Sequence, residues 1–345
     1  MPLEGSALDG LTNSPPSVHR LSEAHRKIMA DPAVFSVDQL GIKDIDGYSH
    51  VWYGNYLKFF ERGAQRFLGG GRVVRVGHLK YKRSVPWGAN SSRIESYLVS
   101  CAAGRALVFQ RWCVGHDADS TFATCLSELS VEGCARLPAV MEPKARLLAG
   151  AICSCSDVEP EEPMLAMAVK NLESSGVPPI SAAEGIVGRM VVPRHVFADM
   201  VAESGKMQIV DAMDLFEQSR TETVGGQQGL KAFLDRGLAL VVGQIDELVL
   251  AEGVALGASV NVRCEVTLIR ETTERRCFHF QQRLLRADGA EVARVRVLMC
   301  CVDQSAGALA RVPDESWEEW KRIMGELEAG GVGSVAITPA TAAAM

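Results

Sequence analysis

The sequence predicts an α+β protein made of two similar halves, each with a long central helix followed by an antiparallel sheet. Two observations support this fold: in each half a segment of helical periodicity precedes four strand-like runs, and both predicted helices contain a Phe-Glu pair. The chain has 345 residues, of which 47% are hydrophobic and 23% charged. This is an ordinary globular balance for about two domains.

The first half begins with a predicted helix at residues 53–68. Aromatic and small apolar residues recur there at helical spacing, and Gly69, Gly70 and Gly71 end the pattern. The periodicity then changes, because β-branched residues alternate with polar ones between turn-prone stretches. Four strands are therefore expected at 73–81, 93–100, 105–114 and 121–131.

The same order of elements returns in the second half. A short strand at 190–192 precedes a predicted helix at 209–220, and Gly225-Gly226 interrupts the helical pattern before a turn or two at 230–234. Four further strands are expected at 238–248, 259–270, 276–286 and 292–302. The repeated order indicates a duplicated unit.

The two halves can be aligned on their Phe-Glu pairs, Phe60-Glu61 and Phe216-Glu217. The Val-Gly-His-Leu segment at 76–79 then corresponds to Val-Gly-Gln-Ile at 242–245. An acidic loop precedes the helix in the first half only. Three pairs of positions around the helix start correspond: Asp46 and Ala202, His50 and Lys206, Asn55 and Asp211.

Breaks in these patterns divide the chain into five regions. The stretch between the halves carries six prolines and an acidic run, so it is expected to connect two units. A helix is expected at 314–327, followed by a tail rich in small residues. The predicted regions are a partly disordered N-terminal segment (1–30), a first unit (31–132), a connection (133–187), a second unit (188–304), and the C-terminal helix with a disordered tail (305–345).

Charge and composition argue against two classes of function. The formal net charge of -6 and the pI near 5.7 provide no basic footprint, so nucleic-acid binding is not expected. No run of about 18 apolar residues occurs, so a membrane span is not expected either. The ten cysteines are expected to be reduced, because no apolar signal segment is apparent. We expect a cytoplasmic protein, with import into an organelle left open.

Cysteine and histidine positions do not suggest a metal site. Cys153 and Cys155 lack a second pair at zinc-site spacing, and His78 and His279 have no neighbours at ligand spacing, so neither a metal nor another cofactor is expected. His279 alternates with phenylalanines along its strand and should face solvent or a partner sheet. Five cysteines lie in strand-like runs, where a thiol usually acts as a small buried hydrophobe: Cys113, Cys264, Cys277, Cys300 and Cys301.

The stretch from Asp44 to Arg62 is the main candidate for a functional site. It reads D-x-D, then V-W-Y-x-N-Y, then F-E-R. It resembles the corresponding segment of hotdog-fold acyl-CoA thioesterases of the 4-hydroxybenzoyl-CoA thioesterase type and, less closely, that of plant acyl-carrier-protein thioesterases. The resemblance implies a tandem (double) hotdog fold, in which each long central helix is wrapped by an antiparallel sheet. It also implies an acyl-CoA or acyl-carrier-protein substrate.

The same resemblance implies roles for individual residues. Asp46 stands where the 4-hydroxybenzoyl type has its catalytic carboxylate, and His50 stands where the plant enzymes have a histidine. Tyr48, Trp52 and Tyr53 occupy positions at which the plant enzymes have asparagines. The arrangement of the 4-hydroxybenzoyl type mainly needs the carboxylate and the helix start. It therefore fits this sequence better than the plant arrangement.

Thioester hydrolysis has requirements that this stretch can meet. The carbonyl becomes an oxyanion on attack, and amides near Tyr53, Gly54 and Asn55 at a helix N-terminus are candidate donors to it. Gly54 would allow close approach. Asp46 would act as the nucleophile, or as the general base that deprotonates a water, with His50 orienting or sharing that proton.

Structural roles are open for the same residues. Asp46 could cap the loop or the helix, and His50, Asn55 and Tyr56 could serve packing or hydrogen bonding. Tyr56 is, with Tyr53, one of the two aromatic residues that are predicted to bind the substrate. Each of these residues therefore has two alternative readings, one catalytic or binding and one architectural.

Glu61 is the last predicted substrate-binding residue. It either faces the cleft as a second carboxylate or pairs with a basic neighbour to hold the helix to the sheet, and the same alternatives apply to Glu217. The leading functional hypothesis is acyl thioester hydrolysis. The alternatives are a non-catalytic protein that binds an apolar ligand and, third, a hotdog dehydratase or hydratase. The oligomeric state is open, because a tandem pair can be complete alone or can pair again.

Overall fold

The computed structural model describes most of both predicted units. The described residues are 33–37, 51–85, 92–102, 104–114, 121–131, 185–202, 205–251, 256, 260–270 and 274–325. Most of the predicted connection at 133–187 lies outside them. Within the described residues, one antiparallel sheet of eleven strands carries the helices. No described helix is long and apolar enough to cross a membrane.

The described residues of the first half form one helix and five strands. Their bounds are β1 Ala33–Val37, α1 Tyr53–Leu68, β2 Arg72–Tyr81, β3 Ser92–Ala102, β4 Arg105–Val114 and β5 Thr121–Ser130. The strands lie in the order β1-β3-β4-β5-β2. Helix α1 begins and ends at the predicted residues. It ends at Leu68 because Gly69 adopts a φ of 76° and donates its amide to the Gln65 carbonyl as a C-cap.

The second half repeats this arrangement. Its elements are β6 Ile186–Val196, a 3₁₀ turn Ala198–Met200, α2 Ile209–Thr223, α3 Gly226–Leu234, β7 Leu238–Leu250, β8 Val260–Arg270, β9 Cys277–Arg286, β10 Glu291–Asp303, β11 Ala308–Leu309 and α4 Asp314–Met324. The order β6-β8-β9-β10-β7 matches that of the first half. Strand β6 and helix α3 are both longer than predicted. Strand β6 is longer because its pairing with β8 extends well beyond its short apolar run.

The two halves join through β2 and β7, which pair antiparallel at the centre of the sheet. Leu79 pairs with Ile245 at this seam. These two residues are also equivalent in the sequence alignment of the halves. Equivalent residues meet when two units are related by an approximate two-fold axis, so the seam behaves like an isologous interface inside one chain.

A β-bulge supports the same alignment. In β2, Val76 and His78 pair with consecutive residues of β5, which leaves Gly77 as the extra residue. In β7, Val242 and Gln244 pair with consecutive residues of β10, which leaves Gly243 as the extra residue. A bulge inserts one residue and bends the strand. The aligned Val-Gly-x-x segments therefore have the same backbone irregularity in both halves.

The core lies between the sheet and the helices. Helices α1 and α2 contact each other, while α3 contacts β7 and α4 contacts both α2 and β6. Trp112 in the first half, and Trp317 and Trp320 of α4 in the second, are fully buried. Because α1 and α2 lie side by side, residues at the start of one helix can touch residues along the other.

Candidate active site at the start of the first central helix

Helix α1 begins directly after the stretch that carries the predicted catalytic residues. Asp46 and His50 lie outside the described residues, which resume at Val51. The Val51 amide donates to the Val85 carbonyl (2.8 Å) and ties the chain before the helix to the segment after β2. The catalytic roles of Asp46 and His50 stay predictions, whereas the helix start that follows them is attached to the sheet.

The N-terminal amides of α1 differ in their hydrogen bonding. The Asn55 amide donates to the Trp52 carbonyl (2.9 Å), so it is already used in the first turn. The amides of Tyr53 and Gly54 precede that turn and have no partner within the helix. No side chain caps this end among the residues that the structure describes. The helix therefore presents two amides, together with the positive end of its dipole, to a negative group.

Gly54 is covered by the indole ring of Trp52. A Cβ atom at position 54 would lie 2.1 Å from Cη2 of Trp52, far inside van der Waals contact. The glycine is thus required for the packing of this ring. The sequence reading expected Gly54 to allow close approach, and in the structure the group that approaches is Trp52.

Two tyrosine hydroxyls fasten the start of α1 to the end of β2. The Tyr56 hydroxyl accepts the Val85 amide (2.9 Å) and donates to the Arg83 carbonyl (3.4 Å). The Tyr81 hydroxyl donates to the Tyr53 carbonyl (2.9 Å). The Tyr56 side chain is therefore engaged in architecture at this point, while its predicted contact with substrate remains untested.

A polar cluster from the second half meets the start of α1. The Glu217 carboxyl lies close to the side chains of Trp52 and Tyr53, which both lower its pKa. Arg220, one turn further along α2, donates to the Tyr53 hydroxyl. Its guanidinium also lies over the Tyr53 ring, with 5.7 Å between Cζ and the ring centroid. The Glu217 carboxyl and the Arg220 guanidinium of the second half therefore lie against the start of the first helix.

Gln282 of β9 holds Arg220 in place. Arg220 Nη1 donates to Gln282 Oε1 (2.7 Å), and Gln282 Nε2 donates to the Phe216 carbonyl (2.8 Å). Arg220 is 4% exposed and Gln282 is fully buried. Buried charges of this kind need several fixed partners. The cluster is consequently part of the rigid core as well as part of the helix start.

Burial changes the acid-base behaviour of the cluster. It raises the pKa of the Glu217 carboxyl, while Arg220 and the hydrogen bonds from Trp52 and Tyr53 act in the opposite direction. Burial also raises the pKa of the Tyr53 phenol, partly offset by Arg220. Tyr53 therefore stays protonated at neutral pH, and its hydroxyl accepts the hydrogen bond from Arg220.

Glu61 lies away from the helix start. Eight residues separate it from Tyr53, which is about 12 Å along the helix axis. Its Oε1 accepts the Val73 amide at the start of β2 (2.9 Å). Burial raises the pKa of the Glu61 carboxyl, and Arg72 and Arg62 lower it. Glu61 thus joins α1 to the sheet, which is the architectural alternative, and the structure does not bring it together with Tyr53 and Gly54.

The first half contains the same glutamine contact without the arginine. Gln110 Nε2 donates to the Phe60 carbonyl (2.9 Å) and to Ser96 Oγ (3.0 Å). Its buried Oε1 has no hydrogen-bond partner among the described residues. The alignment on Phe60 and Phe216 places Ala64 where α2 has Arg220. The polar cluster therefore occurs at one of two equivalent positions.

Sequence reasoning predicted the helix start but not its partners from the second half. The sequence suggests Glu217 only as the repeat counterpart of Glu61, and it does not identify Arg220 or Gln282 as site residues. A usable signal was present, because the gap-free alignment shows a charged Arg220 on a helix face where the first half has Ala64. Such a charge inside an apolar stripe indicates a buried partner.

Comparison with solved structures finds chains of low sequence identity that are similar to this one over most of its length. No protein-family model and no curated protein matches the chain. A putative oleoyl thioesterase from Lactobacillus plantarum is similar in structure over 79% of this chain and 98% of its own, with 11% identity and a TM-score of 0.49. The 12:0-ACP thioesterase from Umbellularia californica covers 77% of this chain and 92% of its own, with 9% identity and a TM-score of 0.47. Both structures are named as thioesterases, the class that the sequence resemblance also names.

Proposed function

We propose that the protein hydrolyses acyl thioesters of coenzyme A or of a carrier protein at the start of α1, and that its halves form a tandem pair of hotdog units. One observation carries the proposal: the helix N-terminus that follows the D-x-D loop meets Glu217 and Arg220 of the other half. A thioester carbonyl needs fixed donors as it becomes an oxyanion. The amides of Tyr53 and Gly54, held by the cluster, are such donors.

The reaction can be followed atom by atom. Asp46 takes a proton from a water, whose oxygen attacks the carbonyl carbon of the thioester. Negative charge develops on the carbonyl oxygen and is stabilised by the amides of Tyr53 and Gly54. The tetrahedral intermediate then expels the thiolate, which recovers the proton from Asp46. If Asp46 instead attacks the carbonyl directly, an acyl-enzyme anhydride forms and water hydrolyses it in a second step.

The polar cluster from α2 supports this chemistry by positioning. Tyr53 is clamped between Glu217 and Arg220, so the backbone that carries the two donor amides has little freedom to shift. Donors that are already in place need no reorganisation when charge develops. Glu217 and Arg220 therefore act on the helix start through Tyr53.

A second candidate function is the binding of an apolar ligand without hydrolysis. It is favoured by the Trp52 ring, which covers Gly54 at the helix start. In that case the ring would form one wall of the binding site, and no thiol would be released from any thioester. The third hypothesis, hydration of an enoyl thioester, would add water without releasing thiol.

The test is the release of free thiol from a panel of acyl-CoA and acyl-carrier-protein thioesters. We expect activity in the unmodified protein and a decrease in kcat of about 100-fold or more for Asp46→Asn, because loss of a general base typically has an effect of that size. Asp211→Asn is the matched control. It removes a carboxylate from the start of α2, at the position that aligns with Asn55, and we expect it to keep the full rate.

Each other outcome has a separate meaning. Equal rates for the unmodified protein and Asp46→Asn would show that Asp46 is not catalytic. A complete lack of thiol release, combined with saturable binding of an acyl thioester, would support the binding protein. Water addition to an enoyl thioester with the thioester intact would support the hydratase.

A further inference from the structure

Two cysteines face each other across neighbouring strands of the second half. Cys277 is the first residue of β9, and Cys300 is its direct partner on β10 in the antiparallel register. Their sulfur atoms are 3.4 Å apart. Both were expected from the sequence to be reduced and to act as small buried hydrophobes. The structure instead makes them a pair.

The register of the strands suits a covalent link. Directly opposite residues of an antiparallel pair have Cα atoms about 4.5 to 5.5 Å apart, and disulfides span Cα distances of about 4.4 to 6.8 Å. A disulfide has an S–S length of about 2.05 Å, so the sulfurs need to approach by about 1.4 Å from their present 3.4 Å. Rotation about the Cα–Cβ bonds can supply a movement of that size without shifting the strands.

The two members of the pair differ in their surroundings. Gly243 of β7 lies beside Cys300 on the side away from Cys277, and a Cβ at position 243 would be 3.1 Å from the Cys300 sulfur. A side chain at that position would crowd the sulfur. Cys300 is buried, whereas Cys277 is only partly buried. Cys277 is therefore the member of the pair that is closer to solvent.

The third cysteine of this region does not compete. Burial, with smaller contributions from Cys277 and Asp303, raises the pKa of the adjacent Cys301 thiol to about 12. Cys301 directly follows Cys300 in β10, so its side chain points to the opposite face of the sheet. The pairing partner of Cys277 is therefore Cys300, which the register places directly opposite it.

The pair lies on the face of the sheet that points away from the helices. Phe278, the next residue along β9, packs against Trp317 and Trp320 of α4, with ring centroids 5.9 and 5.4 Å away. Successive side chains of a strand point to opposite faces. A link between Cys277 and Cys300 would therefore form outside the helix layer and away from the start of α1.

We propose that Cys277 and Cys300 are a site of reversible oxidation, at which a peroxide converts the two thiols into an intramolecular disulfide. The Cys277 thiolate attacks the peroxide, breaks its O–O bond and becomes a sulfenic acid, with release of water. The Cys300 thiol then attacks the sulfenic sulfur, forms the S–S bond and releases a second water. Two electrons pass from the thiols to hydrogen peroxide, and a dithiol reductant returns them. This inference is independent of the proposed function.

The test treats the full-length protein with increasing hydrogen peroxide, blocks remaining thiols with an alkylating agent, and maps tryptic peptides without reduction. Trypsin releases Cys277 in peptide 277–283, and Cys300 together with Cys301 in peptide 297–311. We expect these two peptides to become linked, with the loss of two free thiols per chain, and to separate again after dithiothreitol. Cys301→Ser should retain the link, whereas Cys277→Ser and Cys300→Ser should abolish it.

Three results would overturn the inference. The first is persistence of the link in Cys300→Ser, which would identify Cys301 as the partner. The second is conversion of Cys277 to sulfinic acid without any linked peptide. The third is the absence of change at both cysteines while other thiols react. The peptide map of the unmodified protein decides the last two on its own. A failure of one variant to fold would therefore leave the inference testable.

Discussion

In both halves a buried glutamine on the third strand after the helix donates its side-chain amide to the carbonyl of the phenylalanine in the Phe-Glu pair, at 2.9 Å for Gln110 and 2.8 Å for Gln282. The halves differ in the acceptor oxygen of that glutamine. In the second half it receives Arg220, whereas in the first half it has no partner among the described residues. The glutamine contact that holds the helix to the sheet is therefore present in both halves. The charged arginine that reaches the other half is present only in the second.

This difference separates architecture from candidate chemistry. Features found in both halves, such as the glutamine contact and the glycine bulge, are needed for the fold. Two features are found in one half only: the D-x-D sequence, which precedes α1 along the chain, and the Glu217 and Arg220 cluster, which meets the start of α1. Variants at paired positions can therefore test which features belong to which group.

The largest effect is expected from Arg220→Met. It leaves the Glu217 carboxylate without its buried cation and removes a donor from Gln282 and Tyr53, so the free energy of unfolding should fall by about 3 kcal/mol. Urea unfolding measures this change. The matched control is Arg194→Met, which breaks an ion pair with the more exposed Glu222 (2.6 Å) and should cost less than about 1 kcal/mol. Equal losses in the two variants would contradict a special role for the buried cluster.

The next comparison is Gln282→Leu against Gln110→Leu. Both remove a donor from a buried phenylalanine carbonyl and should cost about 1 to 2 kcal/mol for that reason. Gln282→Leu also removes the acceptor from Arg220, so it should be more destabilising than Gln110→Leu by about 1 kcal/mol or more. The same urea experiment provides the values. A larger loss for Gln110→Leu would reverse the comparison.

A smaller effect is expected at the helix starts, where α2 has Asp211 and α1 has Asn55. Burial raises the pKa of Asp211 from 3.8 to about 6, with contributions from Asp214 and Asp199. Because the folded state holds this proton more tightly, stability should fall as the pH rises through that window. Asp211→Asn should remove the fall and add about 1 kcal/mol at pH 7. Unfolding free energies between pH 3.5 and about 7 test this, and Asn55→Asp should introduce a fall of the same sign.

The smallest effect near neutral pH is expected at His78, whose counterpart in the repeat is Gln244 and whose side chain is mostly uncharged there in both states. Burial lowers the pKa of His78 to about 4 from 6.5, while Asp246 opposes this shift. The folded state therefore disfavours the proton, and stability should be lost as the pH falls from 6.5 towards 4. His78→Gln copies the residue of the other half and should flatten this part of the curve. Thermal unfolding at several pH values measures it, and parallel curves for both proteins would contradict the prediction.

The sequence predicted the order of elements well because periodicity is a local property. Helix α1 and strand β4 begin and end where their patterns do, and the alignment of the Val-Gly segments agrees with the bulges. Contacts between the halves were beyond this reasoning, since nothing in the spacing of Tyr53 and Glu217 reports their distance in the fold. The same limit leaves Asp46 and His50 as predictions made from the resemblance.

His279 shows a second limit of reading strands by alternation. It was expected to face solvent or a partner sheet, but it is 7% exposed and its Nε2 lies 2.8 Å from a carboxylate oxygen of Asp246. In the pairing of β7 with β10, Asp246 is the extra residue of a second bulge. A bulge re-aims a side chain and changes its neighbours. Strict alternation contains no sign of such an irregularity, so the contact between His279 and Asp246 could not be predicted.

The seam at which Leu79 meets Ile245 has a further consequence for how this molecule can change. In a homodimer with the same interface, any substitution is present in both subunits, so an arginine at one helix would also be buried at the other. Here both sides of the seam belong to one polypeptide and are encoded separately. One helix could therefore acquire Arg220 while the other kept Ala64. Covalent linkage allows each half to mutate alone, and one half can become specialised while its partner remains a scaffold.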